Sequence, residues 1–428
     1  MTVLERTSVP RGVMGYPVEI VKDPFSAFEN AVAGDQPSCR TLYIHIPFCR
    51  SRCPFCPFFL EVADGETFHL YSRLLCRELE NGADTLGRFP VNAVYFGGGT
   101  PTELTPEDFS SIMNVLHSRY RLTNDCEITV EGRVDGFSPE KVDVYAGCGV
   151  NRFSIGVQTF RPELRRLLGR VTPGDEIPTL LNRISERNAA SVVIDLLYGL
   201  PGQTREEWSG DLKILLEETN VSGVDFYHLK SRKNLPLEKS LAGGFLPPLP
   251  SQDIAFGMFQ EVVERMRDCG SHRLSPMHYA LEARERNLNN SISSYKNVCL
   301  PFGMKAVGRL GGCRLVQTAD FDEYSKLVKS GRKPLASVGI LPADFPVNGE
   351  LSGELYNWLA LNPDRIAGIV PEFSDHIREN LEKALAKWVN AGYLFPQRNG
   401  WFRMTELAEF SHRPMATDLM EAVAEAWT

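Results

Sequence analysis

Several things are scarce or missing in this chain of 428 residues. No run of about 18 apolar residues occurs, so no membrane-spanning helix is expected. The opening segment MTVLERTSVPRGVMGYPVEIVKDPF has no apolar stretch of the kind a secretory leader carries. A basic excess is missing too: 46 Lys and Arg stand against 54 Asp and Glu, a net charge of −8. That balance argues against a nucleic-acid partner, whose phosphates need a cationic footprint. Internal repeats and low-complexity tracts are absent. These absences predict a cytoplasmic protein with neither membrane nor nucleic acid among its partners. Cysteine is sparse, ten in all, and a reducing compartment turns cysteines toward metal or redox chemistry and away from disulfides.

What is present is enough apolar material, 43% of residues, for a substantial core. Residues 1–40 are irregular and read as a lead-in segment. From Thr41 short apolar strands alternate with amphipathic helices: TLYIHI, VNAVYF, CEITV, RFSIGV, SVVIDLLYGL and VDFYHL are the strands. Between them Thr105-Pro106 reads as a helix cap and first turn, and Thr204 with Glu207 as a capping box. Six such units predict an α/β protein built on an incomplete (β/α)6 barrel of parallel strands, over 41–270. Residues 271–341 read as a substrate-side extension of the barrel. Residues 342–428 read as a small C-terminal winged-helix-like α+β module.

Three of the ten cysteines crowd into HIPFCRSRCPFCPFF, at Cys49, Cys53 and Cys56, directly after the first strand. Pro47, Pro54 and Pro57 keep that stretch from forming a helix. Three thiolates on a short loop suit three corners of a cubane [4Fe-4S] cluster, leaving the fourth iron open to a small chelating molecule. A zinc site is the alternative, but it asks for a fourth Cys or His nearby, and His45, at the end of a strand, is poorly directed for that part. Further polar residues gather at strand ends, where barrel-type sites form. Gly97-Gly98-Gly99 follows the second strand, and Glu131, Gln158, Arg170 and Asp195 follow the next ones. For the glycine run a plain tight turn is the competing reading.

The spacing Cys-x3-Cys-x2-Cys with an aromatic before the third cysteine resembles the signature of the radical S-adenosylmethionine (SAM) superfamily. The resemblance implies a radical SAM barrel in which the open iron binds SAM and one electron splits it to a 5′-deoxyadenosyl radical. YIHIPFCRSRCPFC, VYFGGGTPT, EITVEGR, NRFSIGVQTF and LLYGLPGQT are together similar to the coproporphyrinogen-dehydrogenase-like branch, over residues 40–320. In that branch the positions of Tyr43, Gly98, Gly99, Thr100, Glu131, Gln158, Arg170 and Asp195 contact SAM. The dehydrogenase has a further cysteine where this chain has Phe58, and an Asn-Pro pair where it has Gly132-Arg133; both departures point away from coproporphyrinogen decarboxylation.

VEGRVDGFSPEKVD, RLSPMHYALEARERNLNN and VCLPFG resemble the anaerobic haem-utilisation methyltransferases, or anaerobilin synthases. This implies two SAM molecules, one as radical source and one as methyl donor, with haem opened to a linear methylated tetrapyrrole and iron released. It also implies a flavodoxin-type electron donor. Pro57 and Met304-Lys305 depart from the family pattern and leave a methylase of a natural product, or of another tetrapyrrole, open; a haem-binding chaperone is the non-enzyme alternative. On the substrate side His278 and His228 are candidate haem contacts, and Arg273, Arg284 and Arg286 candidate propionate partners. A structural histidine and a solvated helix face are the competing readings. Phe55 and Phe58 are candidates to stack near the second SAM, against simple packing around the cluster.

Overall fold

The computed structural model describes residues 18–56, 61–230, 233, 235–292 and 297–427; Phe58 and Pro57 lie outside them. The six expected strands are β1 Arg40–Ile46, β2 Val91–Gly98, β3 Leu122–Arg133, β4 Arg152–Gln158, β5 Ser191–Tyr198 and β6 Gly223–His228. Each pairs in parallel with the next. Most residues along these strands are buried, as parallel strands covered on both faces require.

The helices behave as their caps dictate. Against the reading of 1–40 as irregular, α1 Pro24–Ala33 forms there, with the Asp23 carboxylate accepting from the N–H groups of Phe25 and Ser26. Then follow α2 Gly65–Leu86, α3 Pro106–Arg119, α4 Pro139–Gly147, α5 Pro162–Leu167, α6 Ile177–Ser185, α7 Arg205–Glu218 and α8 Gln252–Asp268. Thr105 caps α3, and the Thr204–Glu207 capping box opens α7.

Beyond α8 the chain serves both edges of the sheet. β7 His272–Arg273 and β8 His278–Ala280 run antiparallel beside β6. β9 Val298–Phe302 returns to lie parallel to β1 at the opposite edge. β10 Val307–Leu310, β11 Cys313–Gln317 and β12 Leu335–Ile340 extend it antiparallel. With the short strand Glu19–Ile20 this makes one open thirteen-stranded sheet. Among the described residues no helix is long and apolar enough to cross a membrane.

The C-terminal module has its own core of Leu351, Leu361, Leu381, Leu385, Trp388 and Leu419. A helix Phe345–Gly353 passes into a π-helical turn Glu354–Trp358, and three short antiparallel strands follow, Ala360–Leu361, Leu394–Pro396 and Phe402–Met404. After them Thr405 caps the helix Glu406–Ser411. That helix carries the module onto the barrel: the Phe410 ring lies 5.3 Å from His228, 5.3 Å from Phe256 and 5.7 Å from Phe259.

Candidate functional site

Cys49 lies on a two-residue strand, Phe48–Cys49, that continues from β1. The end of β2 is pressed against it: the Gly99 N–H donates to the Ile46 carbonyl at 2.7 Å and the Thr100 N–H to the Phe48 carbonyl at 2.9 Å. A Cβ at Gly99 would stand 2.3 Å from the Phe48 oxygen, so only glycine permits this approach. The glycine run thus serves to bring the second strand's end onto the cysteine loop. The Thr100 hydroxyl then donates to the Cys49 sulfur at 3.3 Å.

All three cysteines are half-buried, and none of them forms a disulfide with another described residue. Burial pushes the Cys49 thiol up, the Thr100 hydrogen bond pulls it down in part, and the neighbouring Cys56 and Cys53 raise it further. Among the described residues no three Cys, His, Asp or Glu side chains are gathered as ligands of a single ion. A cubane takes its thiolates at separate corners.

Around this loop stand the strand-end residues. The Glu131 carboxylate accepts from the Tyr95 hydroxyl and, at 3.3 Å, from the Gly98 N–H; burial nevertheless raises it above the usual carboxylate range. Gly97 leaves room for it, since a Cβ there would lie 2.9 Å from Glu131 Oε2. Tyr43 stacks on Tyr95, ring centres 6.2 Å apart, and shares a 2.9 Å hydrogen bond with His45 Nδ1. Gln158 ends β4 with φ of 76°, a conformation uncommon outside glycine.

Arg170 stacks over Phe55 at 5.6 Å, with Cys53 close enough to pull on its charge. Its Nε and Nη1 are buried and have no hydrogen-bond partner among the described residues. A guanidinium with free buried N–H groups fits an anionic ligand, because leaving such donors unmade is costly. Gly99 and Thr100 thus lie against the cysteine loop, Glu131 against Gly98, and Arg170 against Phe55 of the loop itself, and that donor set fits a cluster with a zwitterionic nucleotide-like chelator.

Asp195 stands in register with Asp225 on β6, and Asp225 with His278 on β8. Burial first, then Asp225 and Glu131, push Asp195 up to about 8. Sequence reading overlooked Asp225, although VDFYHL carries an acid at a strand position that apolar residues normally fill. It also missed what surrounds His278, whose ring is held at 2.9 Å by Asp225 and at 3.1 Å by Glu285, with Arg152 bonded in turn to Glu285 at 3.0 and 3.1 Å. Burial would push His278 down, but these two carboxylates hold it up at about 9. Nε2 is thus hydrogen-bonded to Glu285, and Nδ1 faces the Asp225 carboxylate. Tyr356, from the π-helical turn, bonds Ser275 and reaches the neighbourhood of Asp225.

Other candidates lie elsewhere. Arg284 bonds Glu282 and Asn188, and Arg286 bonds the Asp125 carbonyl at the start of β3, so both belong to the end of the sheet opposite the cysteine loop. His228 is sandwiched between Tyr198, at 5.1 Å, and Phe410. Arg273 pairs with Glu409 of the C-terminal module and stacks over Tyr279.

Residues 43–215 match the sequence pattern of the Radical SAM superfamily. The chain is 34% identical over 358 residues to anaerobilin synthase of Escherichia coli O157:H7, covering 83% of this chain and 78% of that protein. It is 35% identical over 327 residues to the heme chaperone HemW of Synechocystis sp., covering 74% and 75%. Its fold is similar to the solved coproporphyrinogen III oxidase (HemN) from Escherichia coli, with a TM-score of 0.80 at 23% identity over 96% and 97% of the two chains.

Proposed function

This chain belongs to the radical SAM superfamily, in the branch that includes anaerobilin synthase, the heme chaperones and coproporphyrinogen III oxidase, and from that premise we propose that it is a radical SAM methyltransferase that opens haem anaerobically. The observation that carries this reading is the likeness to anaerobilin synthase, which extends through 83% of the chain. When bound, a [4Fe-4S] cluster supplies the electron and two SAM molecules supply the radical and the methyl group; haem is the substrate, and a flavodoxin-type protein is the donor.

The chain's own part is to bind, orient and keep water out. Cys49, Cys53 and Cys56 hold the cluster, with Thr100 donating to the first sulfur. The unpartnered N–H groups of Arg170 take a SAM carboxylate. Glu131, Gln158 and Asp195 receive its amino and hydroxyl groups, and Tyr43 and Phe55 offer ring faces. Burial beside Asp225 and Glu131 holds Asp195 above its ordinary range, at about 8, and a cationic ligand beside it would favour the charged carboxylate.

One observation favours a second reading: the heme chaperone relative is as similar in identity, which supports a carrier that binds haem without turning it over. Anaerobic incubation of the reconstituted protein with haem, SAM and a low-potential reductant separates the two. The enzyme reading expects the Soret band to bleach, with release of S-adenosylhomocysteine, 5′-deoxyadenosine and iron. A Soret band that shifts on binding and then persists would establish the carrier.

A further inference from the structure

We infer that Arg133 is a positioning residue that clamps the loop segment between the first two cysteines and sets the charge environment of the cluster they hold. The segment Arg50-Ser51-Arg52 is tied at two points to the β/α turns beside it. Arg50 forms an ion pair with Glu103 in the turn after β2. Ser51 accepts a 2.6 Å hydrogen bond from Arg133 Nη1, which springs from the end of β3.

The Arg133 side chain is only 11% exposed, and its Nε is fixed at 3.2 Å by Asp135 two residues on. The turn that launches it is itself immobilised. A Cβ at Gly132 or Gly136 would come within 2.4 or 2.3 Å of the Thr102 hydroxyl, so both glycines let this turn pack against the one after β2. The guanidinium therefore bridges Asp135 and the loop in one planar fork, a geometry lysine cannot reproduce. Its hydrogen bond to Ser51 holds this cation two residues in sequence from both Cys49 and Cys53.

Two consequences follow. With the clamp in place the Cys49–Cys53 spacing is set before the cluster arrives, so the loaded loop resists opening. A cation beside the cluster favours its reduced, more negative state, since net charge and hydrogen bonding near the sulfurs tune such potentials.

The test compares wild-type protein with Arg133→Gln, Arg133→Lys and Ser51→Ala, each full-length and reconstituted anaerobically. Reductive titration followed by electron paramagnetic resonance gives the midpoint potential, and a chelator strips iron at a measurable rate. Arg133→Gln should show a lower potential and iron loss about tenfold faster, the rate equivalent of one lost hydrogen bond to a charged group. Arg133→Lys should restore the potential but not the slow iron loss. Ser51→Ala, at an exposed position, should lose iron faster at unchanged potential, and it decides the matter if Arg133→Gln does not fold. Wild-type iron loss in Ser51→Ala, or a wild-type potential in Arg133→Gln, overturns the inference. None of these readings involves haem, so they stand or fall apart from the choice of substrate.

Discussion

At the scale of single residues the chemistry was legible where it is local. Three cysteines within eight positions announce themselves, because the cluster needs its ligands on one short loop. The account predicts that Cys53→Ala, reconstituted in parallel with the wild type, holds no cubane and cleaves no SAM; a full complement of iron and sulfide in that variant refutes the ligand assignment. Asp195→Asn is expected to keep the cluster and weaken SAM binding ten- to a hundredfold, on the order of one hydrogen bond to a charged group; calorimetry on the reconstituted protein measures it. The clamp on His278 was not legible, because Arg152 and Glu285 meet across 133 positions of sequence. It has a pH signature. The ring's folded pKa of about 9 lies above its ordinary 6.5, so its stabilising effect is complete below pH 6.5 and is lost as pH rises through 9. The effect is about 3 kcal/mol at most. Urea unfolding of the metal-free protein should show a fall in stability through that window, and His278→Gln should lack it.

At the scale of elements the alternation of strands and helices was the clearest part of the sequence, since parallel strands buried on both faces leave continuous apolar runs. The sequence hid α1, although Asp23 and Pro24 carry its cap, because Pro and Gly around it masked the helical period. Residues 271–341 resisted reading for another reason: short strands carry little periodicity, and nothing local says which sheet edge a strand joins. The glycine run after β2 was visible as a close approach, but its neighbour was not; that neighbour is the backbone of Phe48. Gly99→Ala must therefore push two strand ends apart. An overpacking cost of about 1–3 kcal/mol is expected, together with poor cluster loading, measured by thermal unfolding of the metal-free protein and by iron content after reconstitution. Stability and loading both equal to the wild type's would contradict the role given to this contact.

At the scale of the whole molecule the sequence reading sets residues 342–428 apart as a module and says nothing of how they dock. Phe410 enters the barrel's core, stacks on His228 and, with the Arg273–Glu409 pair, fixes the module against β6 and α8. Through the π-helical turn the module also sends Tyr356 toward Ser275 and Asp225. Phe410→Ala is expected to cost about 3–5 kcal/mol and to raise hydrogen exchange at the barrel–module junction while β1–β4 stay protected. Uniform exchange across the chain would argue that Phe410 does not anchor the module. The central claim is that one SAM molecule activates the methyl group of another for transfer to haem. Turnover with SAM carrying a trideuterated methyl group tests it most directly: the account predicts deuterium in the released 5′-deoxyadenosine and labelled methyl-derived carbon in the opened tetrapyrrole. Unlabelled 5′-deoxyadenosine formed alongside intact haem would contradict it.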